Sequence, residues 1–421
     1  MSKKIKKKVP ELRFSEFDEP LSLKYLGEIL DFKNGINADK SQYGSGKKFI
    51  NVLDIINNAP IYHDSIIGSV DITEKEFEKN NVVYGDILFQ RSSEIREEAG
   101  QSNIYLDSNH NTTFGGFVIR GRPKVSFNPI YFNYLLKTRF IRKEITDRSG
   151  GSTRFNVGQN LLSQVPALMC NSIEEQEKIA SFLEACDRKL TQLRRKHELL
   201  QTYKRGVMQK IFSQEIRFKQ DDGKPFPDWQ KKKLGALLDF KNGINADKSQ
   251  YGSGKKFINV LDIINDAPIY HDSIIGSVEI TVKEFKNNNV KYGDILFQRS
   301  SEIRQESGQS NIYLDNNQEA TFGGFVIRGR PKVDFNPIYF NHLLKTSSIR
   351  KEITNRSGGS TRFNVGQDSL RQVPLLTCDS IEEQEKIANF LTAIDKKIEA
   401  ISLQIEKTEL FKKGLLQKMF V

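Results

Sequence analysis

Three polar segments of the chain carry side chains suited to hydrogen bonding with bases and phosphates. Arg forms paired hydrogen bonds with guanine and Asn or Gln with adenine, whereas Lys and backbone amides mainly hold phosphate. The segments contain Lys40, Tyr43, Lys47 and Lys48; Gln90, Arg91, Ser92, Ser93 and Arg96; and Thr153, Arg154 and Asn156. All of them recur 208 positions later, as Lys248, Tyr251, Lys255, Lys256, Gln298, Arg299, Ser300, Ser301, Arg304, Thr361, Arg362 and Asn364. We interpret the segments as two copies of a DNA-binding surface. For any single residue a solvated polar loop is the alternative, and the third segment could instead buttress the helix that follows.

Two motifs resemble catalytic loops but lack parts that the chemistry requires. Asn128-Pro129-Ile130-Tyr131 is similar to the Asn-Pro-Pro-Tyr loop of amino-methyltransferases, without the second Pro and without a preceding Gly-rich turn. Gly44-Ser45-Gly46-Lys47 lacks the earlier Gly and the following Ser or Thr of a phosphate-binding loop. We therefore predict a helix cap at Asn128, a basic turn at Gly44–Lys47, and no catalytic site.

The sequence offers no evident metal ligands. His63 and His271 belong to no i, i+4 pair and are interpreted as ordinary polar residues. Cys170, Cys186 and Cys378 are odd in number and form no CxxC pair, which argues against zinc or disulfides and favours a reducing cytoplasm.

Charge and hydropathy restrict the partners. The 421-residue chain has a formal net charge of +11, which points to DNA, RNA or an anionic membrane. Solubility alone is the alternative explanation. No apolar run approaches the roughly 20 residues of a membrane span, and the basic N-terminus lacks the apolar stretch of a secretion signal.

The elements that must position these residues are themselves duplicated. Leu30–Val70 recurs as Leu238–Val278 with one change, Asn58 to Asp266. The same offset continues to the C-terminus, so the chain is a tandem of two domain-sized modules rather than a solenoid. Two copies of one surface suit a ligand that presents two equivalent sites.

Each copy divides into a globular part and a long helix. Short β-rich runs predict strands at Lys48–Ile55, Asp86–Arg91, Asn103–Leu106 and Phe117–Arg120. Pro129–Thr146 is amphipathic and predicts one helix, capped by Asn128. Mixed α and β elements without strict alternation favour an α+β class.

The second part of each copy predicts a coiled coil. Ser172 and Glu175 have capping-box spacing, and apolar residues then recur at alternating steps of four and three. We expect the two helices to pair antiparallel, with Ile179 opposite Met419. The seam is interrupted at positions where Lys stems can cover apolar neighbours while the ammonium reaches water; these positions are His197, Lys204, Thr408 and Lys412, facing Ile401, Ile394, Leu190 and Cys186. The alternative is that each helix packs only on its own globular domain.

Together these features resemble one family, the specificity subunit of type I restriction–modification systems. The resemblance rests on two globular modules each followed by a helical spacer, on IEEQEKIASFLEACD at Ile173 and IEEQEKIANFLTAID at Ile381, and on GGSTRFNVG, GDILFQRS and KKFINVLDI. It implies recognition domains at 1–166 and 214–374 and helical spacers at 172–213 and 380–421.

The resemblance also implies what the chain does and with which partners. It implies a non-catalytic DNA-reading scaffold with two methylase subunits and, in a nuclease complex, two restriction subunits. S-adenosylmethionine, ATP and Mg would be bound by those partners and not by this chain. A free-standing two-module DNA-binding regulator is the rival interpretation.

The chain departs from the family in one respect. In the family the two recognition domains usually differ, whereas here they are almost the same. On an antiparallel helical rod, two equal domains predict a split palindromic target with one modified adenine per strand.

Overall fold

The computed structural model describes residues 10–57, 59–109, 111–265 and 267–420. The chain divides into two compact units. One unit extends to Arg194 and resumes at Leu403, and the other comprises Arg195–Ser402. Each unit therefore contains a globular domain and segments of two long helices. Within the described residues, no helix is long and apolar enough to cross a bilayer.

The first globular domain mixes short strands and short helices. Its strands are β1 Ser22–Tyr25, β2 Leu30–Asn34, β3 Tyr43–Ile50, β4 Ser69–Val70, β5 Ile87–Gln90, β6 Ser92–Ser93, β7 Ser102–Ile104, β8 Thr112–Phe114, β9 Val118–Pro123, β10 Phe155–Asn156 and β11 Pro166–Met169. Its helices are α1 Leu26–Ile29, α2 Val52–Ile56, α3 Glu74–Asn80, α4 Pro129–Leu136, α5 Arg139–Arg148 and α6 Gln159–Ser163, with 3-10 turns at Lys40–Gln42, His63–Ser65 and Arg96–Glu98. The long helix α7, Ile173–Phe212, follows.

Two small sheets form the framework of this domain. The first is antiparallel in the order β2-β9-β5-β7, and the second has the order β4-β3-β8, with β3 and β8 parallel. All four residues of β5 are buried, as expected for a central strand covered on both faces. Gly121 of β9 lies opposite Ile87, where a Cβ would come within 2.8 Å of Leu30 Cδ1. A larger residue at this crossing would therefore have to displace the Leu30 side chain.

The second domain repeats this plan. Its strands are β12 Gln230–Lys233, β13 Leu238–Asn242, β14 Tyr251–Ile258, β15 Ser277–Val278, β16 Ile295–Gln298, β17 Ser300–Ser301, β18 Ser310–Ile312, β19 Thr321–Phe322, β20 Val326–Pro331, β21 Phe363–Asn364 and β22 Pro374–Thr377. Its helices are α8 Leu234–Leu237, α9 Val260–Ile264, α10 Val282–Asn287, α11 Pro337–Leu344, α12 Ser347–Asn355 and α13 Gln367–Arg371, with 3-10 turns at Lys248–Gln250, His271–Ser273 and Arg304–Glu306. The long helix α14 is Ile381–Met419. The sheet orders, β13-β20-β16-β18 and β15-β14-β19, match those of the first domain and confirm the α+β prediction.

Two local predictions were wrong for the same reason, an unrecognised helix cap. The run predicted as one strand over Lys48–Ile55 is a strand to Ile50 and then helix α2. Asn51 ends the strand because its side chain accepts from the backbone N–H of Leu53 at 2.8 Å. The single helix predicted over Pro129–Thr146 is two helices, because Thr138 caps α5. The cap predicted at Asn128 is confirmed, with its side chain accepting from Tyr131 N at 2.9 Å.

The starts of the long helices are tied to the residues that precede the globular domains. Ser172 caps α7 by accepting from the Glu175 N–H at 3.1 Å, as predicted. The Glu175 carboxylate does not complete a capping box, because it is buried and receives two hydrogen bonds from Arg13, at 2.7 and 2.8 Å. The equivalent pair in the second unit is Arg217 and Glu383. Glu175 and Glu383 are thus structural counter-ions of Arg13 and Arg217.

The next residue of the motif joins α7 to α4. Gln176 Oε1 accepts from the backbone N–H of Asn128 at 2.7 Å, and its Nε2 donates to the Cys170 carbonyl at 2.8 Å. Gln384 makes the same two bonds, to Asn336 and Cys378. Both amides are buried and satisfied, so they hold the domain at a defined position on its helix.

The two long helices pair as an antiparallel coiled coil, as predicted. In the first unit the seam residues Ile179, Leu183 and Leu190 are buried, and Met419 packs in the same core as Ile179. The interrupting lysines are partly exposed and each forms an ion pair that the sequence pattern did not predict. Lys412 Nζ contacts Asp187 at 2.5 Å, and in the second unit Lys204 contacts Asp395 at 2.5 Å.

Candidate nucleic-acid interface

The second and third polar segments form one surface, although about 60 residues separate them in the chain. Strand β6 pairs antiparallel with β10. Ser92 Oγ bonds to Asn156 Oδ1, and Asn156 Nδ2 donates to the Arg154 carbonyl at 3.0 Å. The same bonds link Ser300, Asn364 and Arg362. The polar ends of Ser92 and Asn156 are therefore partly committed to joining the two segments.

Arg91, immediately before β6, is exposed on this surface. Its backbone N–H donates to the Phe117 carbonyl at 2.8 Å, and its Nη1 donates to the Gly116 carbonyl at 3.2 Å. With Asn34 and Arg148 it lines an open cleft of about 500 Å³. Arg299 makes the equivalent bonds to Phe325 and Gly324. Because one edge of the guanidinium is held by the protein, the rest of its planar donor set is oriented outward for an acceptor.

Three predicted contact residues in each domain form hydrogen bonds within the protein. Gln90 is buried and donates to the Ser92 carbonyl at 2.9 Å, and Ser93 Oγ donates to Glu98 at 2.9 Å. Arg96 donates to the Thr146 carbonyl at 3.2 Å. Gln298, Ser301 and Arg304 are placed in the same way. These contacts assign the three side chains a role in holding the surface together.

A partly buried arginine holds the turn that follows β6. Arg142 of α5 donates through Nη2 to the carbonyls of Ala99 at 2.7 Å and Glu97 at 3.0 Å. Burial lowers the pKa of Arg142 to about 10, which still leaves it charged at neutral pH. Arg350 repeats this brace in the second domain. Helix α5 therefore fixes the backbone beside Arg96.

The third segment presents Thr153 and Arg154 on a tight turn. Gly151 has a φ of +118°, and a Cβ there would come within 2.0 Å of the Arg154 carbonyl oxygen. Arg154 Nη2 lies 3.5 Å from Glu94, and both side chains are mostly exposed. Such a surface ion pair is weak, so the Arg154 guanidinium is accessible to an anion.

The first segment forms a protrusion, residues 43–47, which we call the finger; its copy is residues 251–255. Tyr43 and Lys47 both lie opposite Val70, so the three residues between them bulge out of the sheet. Gly46 has a φ of +84°, and a Cβ there would approach the Val70 carbonyl oxygen to 2.5 Å. Lys40 is exposed on the 3-10 turn before the finger. Exposed backbone amides beside cationic side chains suit phosphate.

The lysines in the finger and directly after it differ in how far their ammonium groups are already bound by the protein. Lys48 Nζ donates to the Ile66 carbonyl at 2.6 Å, and Lys256 donates to the Ile274 carbonyl at 2.5 Å. Lys47 Nζ lies 2.9 Å from Glu74 Oε1. Both finger lysines lie over an aromatic ring, Lys47 4.4 Å from the centre of Phe77 and Lys255 4.8 Å from the centre of Phe285. Lys48 and Lys256 therefore brace the sheet, and only the preceding lysine differs between the domains.

A cleft connects the finger to Arg91, and sequence reasoning missed most of its lining. Tyr43, Asn37, Leu53 and Phe117 line about 280 Å³ of space next to the turn that Arg91 holds. Phe117 is 62% exposed and Leu53 is 73% exposed, so apolar side chains flank the polar groups. The sequence predicts strands over Lys48–Ile55 and Phe117–Arg120, and the exposure of Leu53 and Phe117 is not visible in these apolar runs.

The motifs set aside as non-catalytic have structural roles. The Gly44–Lys47 turn is part of strand β3 and does not open a helix, as a phosphate-binding loop would. His63 Nδ1 has the adjacent Asp64 as its neighbour, at 3.3 Å. Within the described ranges, no group of three His, Cys, Asp or Glu residues is placed to hold a metal ion.

Known proteins are similar to this chain over nearly its whole length. The family model of the type I restriction modification DNA specificity domain matches twice, at residues 20–201 and 227–409. A putative type I restriction enzyme specificity subunit, MjaX of Methanocaldococcus jannaschii, is 27% identical over 95% of this chain and 93% of its own. The S subunit of a type I system from M. genitalium has a TM-score of 0.56 at 15% identity, covering 98% and 99% of the two chains. A chain from a structure titled for complex assembly and conformational transition of the type I R-M system has a TM-score of 0.62 at 15% identity, covering 95% and 97%.

The solved structures share the fold, and the family model supplies the assignment. It covers most of the chain as two consecutive domains, each comprising a globular part and most of its long helix. This chain belongs to the type I restriction–modification DNA specificity family and is a specificity subunit with two such domains.

Proposed function

We propose that this chain selects a split palindromic DNA target for adenine-N6 methylation carried out by partner subunits. The observation that carries the proposal is the identity of the two candidate reading surfaces. Arg91 and Arg299 are held by equivalent backbone carbonyls, and the candidate contact residues of the three polar segments recur unchanged in the second domain. Equal surfaces bind equal half-sites, and a protein with two equal modules matches a palindrome.

In this proposal each domain uses two kinds of contact. The guanidinium groups of Arg91 and Arg154 serve as candidate base readers, because they are exposed and presented from short, braced turns. The finger and Lys40 serve as phosphate contacts that position the domain. The apolar side chains of Phe117 and Leu53 suit thymine methyl groups.

Chemistry is assigned to partners. Two methylase subunits, with S-adenosylmethionine, would modify one adenine on each strand, and two restriction subunits, with ATP and Mg, would complete a nuclease complex. This chain would bind none of these cofactors and would function in the cytoplasm. The purified chain alone is expected to transfer no methyl group.

Methylation mapping tests the proposal directly. Genomic DNA from a host that expresses this chain with its methylase partner is sequenced for modified adenines. We expect a half-site, a gap and the reverse complement of that half-site, with one modified adenine per strand, absent from cells lacking this chain. Two unrelated half-sites would contradict the palindrome, and unchanged methylation without this chain would contradict the specificity role.

A further inference from the structure

The two fingers have the same sequence but different neighbours. Helix α3 beside the first finger contains three Glu and two Lys, whereas α10 beside the second contains one Glu and two Lys. The decisive position is the first of each helix, Glu74 in one and Val282 in the other. Lys47 is therefore paired with a carboxylate at 2.9 Å. Both lysines lie over an aromatic ring, but within the described residues no carboxylate lies within ion-pair distance of Lys255.

The carboxylate that lines the cleft beside Lys255 is already occupied. Glu319 is in this cleft, but its Oε1 lies 3.3 Å from Lys291 Nζ and its Oε2 accepts from Asn289 at 3.0 Å. The first domain has Val83 and Asn111 at the positions of Lys291 and Glu319, so it lacks that pair. In the first domain the finger lysine Lys47 forms the ion pair, with Glu74, whereas in the second domain Lys291 forms one with Glu319.

Other carboxylates near the fingers do not create the difference. Asp71 follows β4 beside the first finger, and Glu279 follows β15 beside the second, so the same charge is present at both. Glu76 and Glu284 both bind the Thr that caps their own helix, at 2.7 Å. These two carboxylate positions are common to both sites, whereas among the described residues the direct ion pair with the finger lysine is present only in the first domain.

We infer that Lys255 is a phosphate contact of the second domain, and that Glu74 suppresses the equivalent contact by Lys47 in the first. The inference rests on the proposed function, because it requires the fingers to face DNA. A lysine already neutralised by a carboxylate releases little counterion on meeting phosphate, whereas an unpaired lysine contributes nearly one unit of salt slope. The second domain therefore holds the DNA backbone more firmly, although both domains read the same bases.

The test measures the salt dependence of DNA binding by the full-length chain. A fluorescent 40-base-pair duplex of arbitrary sequence is titrated by anisotropy at several salt concentrations between 50 and 200 mM. Lys255→Ala should lower the slope of log affinity against log salt concentration by about 0.9 in magnitude. The ratio of the affinity at 50 mM salt to that at 200 mM salt should then fall about threefold. Lys47→Ala should leave the slope unchanged.

Exchange of the neighbouring residue provides the matched controls. Glu74→Val should free Lys47 and raise the slope by about 0.9, and Val282→Glu should pair Lys255 and lower the slope by the same amount. The double variant should return to the wild-type slope. Lys255→Arg should keep the slope, and thermal unfolding of each variant checks that the domains remain folded.

The outcomes separate the inference from the function on which it rests. Equal loss of slope for Lys47→Ala and Lys255→Ala, or no loss for Lys255→Ala, would overturn the inference and leave DNA binding intact. Absence of any duplex binding by the wild-type chain would overturn the proposed function as well.

Discussion

The two units attach a domain helix to the long helices with different side chains. In the first unit Tyr134 of α4 donates to Asp187 at 2.5 Å, and Lys412 binds the same carboxylate. In the second unit His342 of α11 stands in the position of Tyr134, with Nε2 3.7 Å from Asp395, and Lys204 binds that carboxylate. The Asp–Lys pair is present in both units, whereas the third group is not.

The contact between the domain helix and the long helices thus keeps the Asp–Lys pair in both units but accepts either Tyr or His as the third group. A partly buried lysine in a coiled-coil seam needs a counter-ion, so each helix carries an Asp and a Lys that match their counterparts on the other. Burial and the Asp187 carboxylate raise the pKa of Tyr134, which keeps its hydroxyl a donor. Burial, together with Lys204 and Lys345, lowers the pKa of His342 to about 3 and keeps the ring neutral. The two junctions should therefore respond differently to acid.

The largest difference in unfolding free energy between the two units is expected for the ion pairs Arg13–Glu175 and Arg217–Glu383. Glu175→Gln should cost about 3–5 kcal/mol of unfolding free energy, because Arg13 would lose its buried counter-ion. Glu383→Gln should cost about half as much, because Arg217 also donates to the Pro227 carbonyl at 2.7 Å and contacts Asp228 at 3.4 Å. Urea unfolding followed by circular dichroism measures both. Equal costs would show that the additional partners of Arg217 contribute nothing.

Acid should destabilise the second unit more than the first. The folded pKa of His342 lies below its ordinary value of 6.5, so the unfolded chain binds the proton more readily. The contribution of neutral His342 to the unfolding free energy is fully present above pH 6.5 and is lost as the pH falls toward 3. The expected loss at pH 4 is about 3 kcal/mol. Trp229 is the chain's one Trp, is buried in the second unit, and reports its unfolding by fluorescence.

His342→Tyr is the control for this prediction, because it installs the residue of the first unit. The variant should lose most of the acid dependence seen in Trp229 fluorescence, while the titration of carboxylates common to both proteins remains. An unchanged pH profile in the variant would rule out His342 as the source.

The seam pairs should differ more modestly. Asp187→Asn removes the counter-ion of Lys412 and an acceptor of Tyr134, at a cost of about 2 kcal/mol. Asp395→Asn removes the counter-ion of Lys204 but no short bond from His342, so about 1 kcal/mol is expected. Thermal unfolding compares the two variants. A larger effect of Asp395→Asn would contradict the role given to the Tyr134 hydroxyl.

The smallest contrast should be between the arginines of the reading surfaces. Arg91→Ala and Arg299→Ala should each weaken binding to the mapped target about tenfold, or about 1.4 kcal/mol, because equivalent backbone carbonyls hold both guanidinium groups. Competition with unrelated duplex separates loss of specificity from loss of phosphate contact. Unequal effects would show that the domains do not read equivalent half-sites.

Local sequence signals predicted much of the framework. The Asn128–Pro129 pair predicted a helix start because the cap and the first turn are adjacent in the chain. The apolar seam predicted a coiled coil because its period persists over many turns, and the globular domain between the two helices favoured an antiparallel pair. The break at Thr138 and the helix after Asn51 were missed, since each depends on one side chain bonding to a nearby N–H and not on periodicity.

The sequence by itself determined the duplication, the α+β class, the coiled-coil seam and the set of polar residues available to each domain. These properties depend on residue types and on spacings of a few positions. Only the tertiary structure decided which polar residues are free. It joined Ser92 to Asn156, buried Gln90 and paired Lys412 with Asp187. It also paired Lys47 with Glu74, whereas Lys255 has no ion-pair partner among the described residues. Such pairings join residues far apart in the chain, and their geometry follows from the packing of the whole domain.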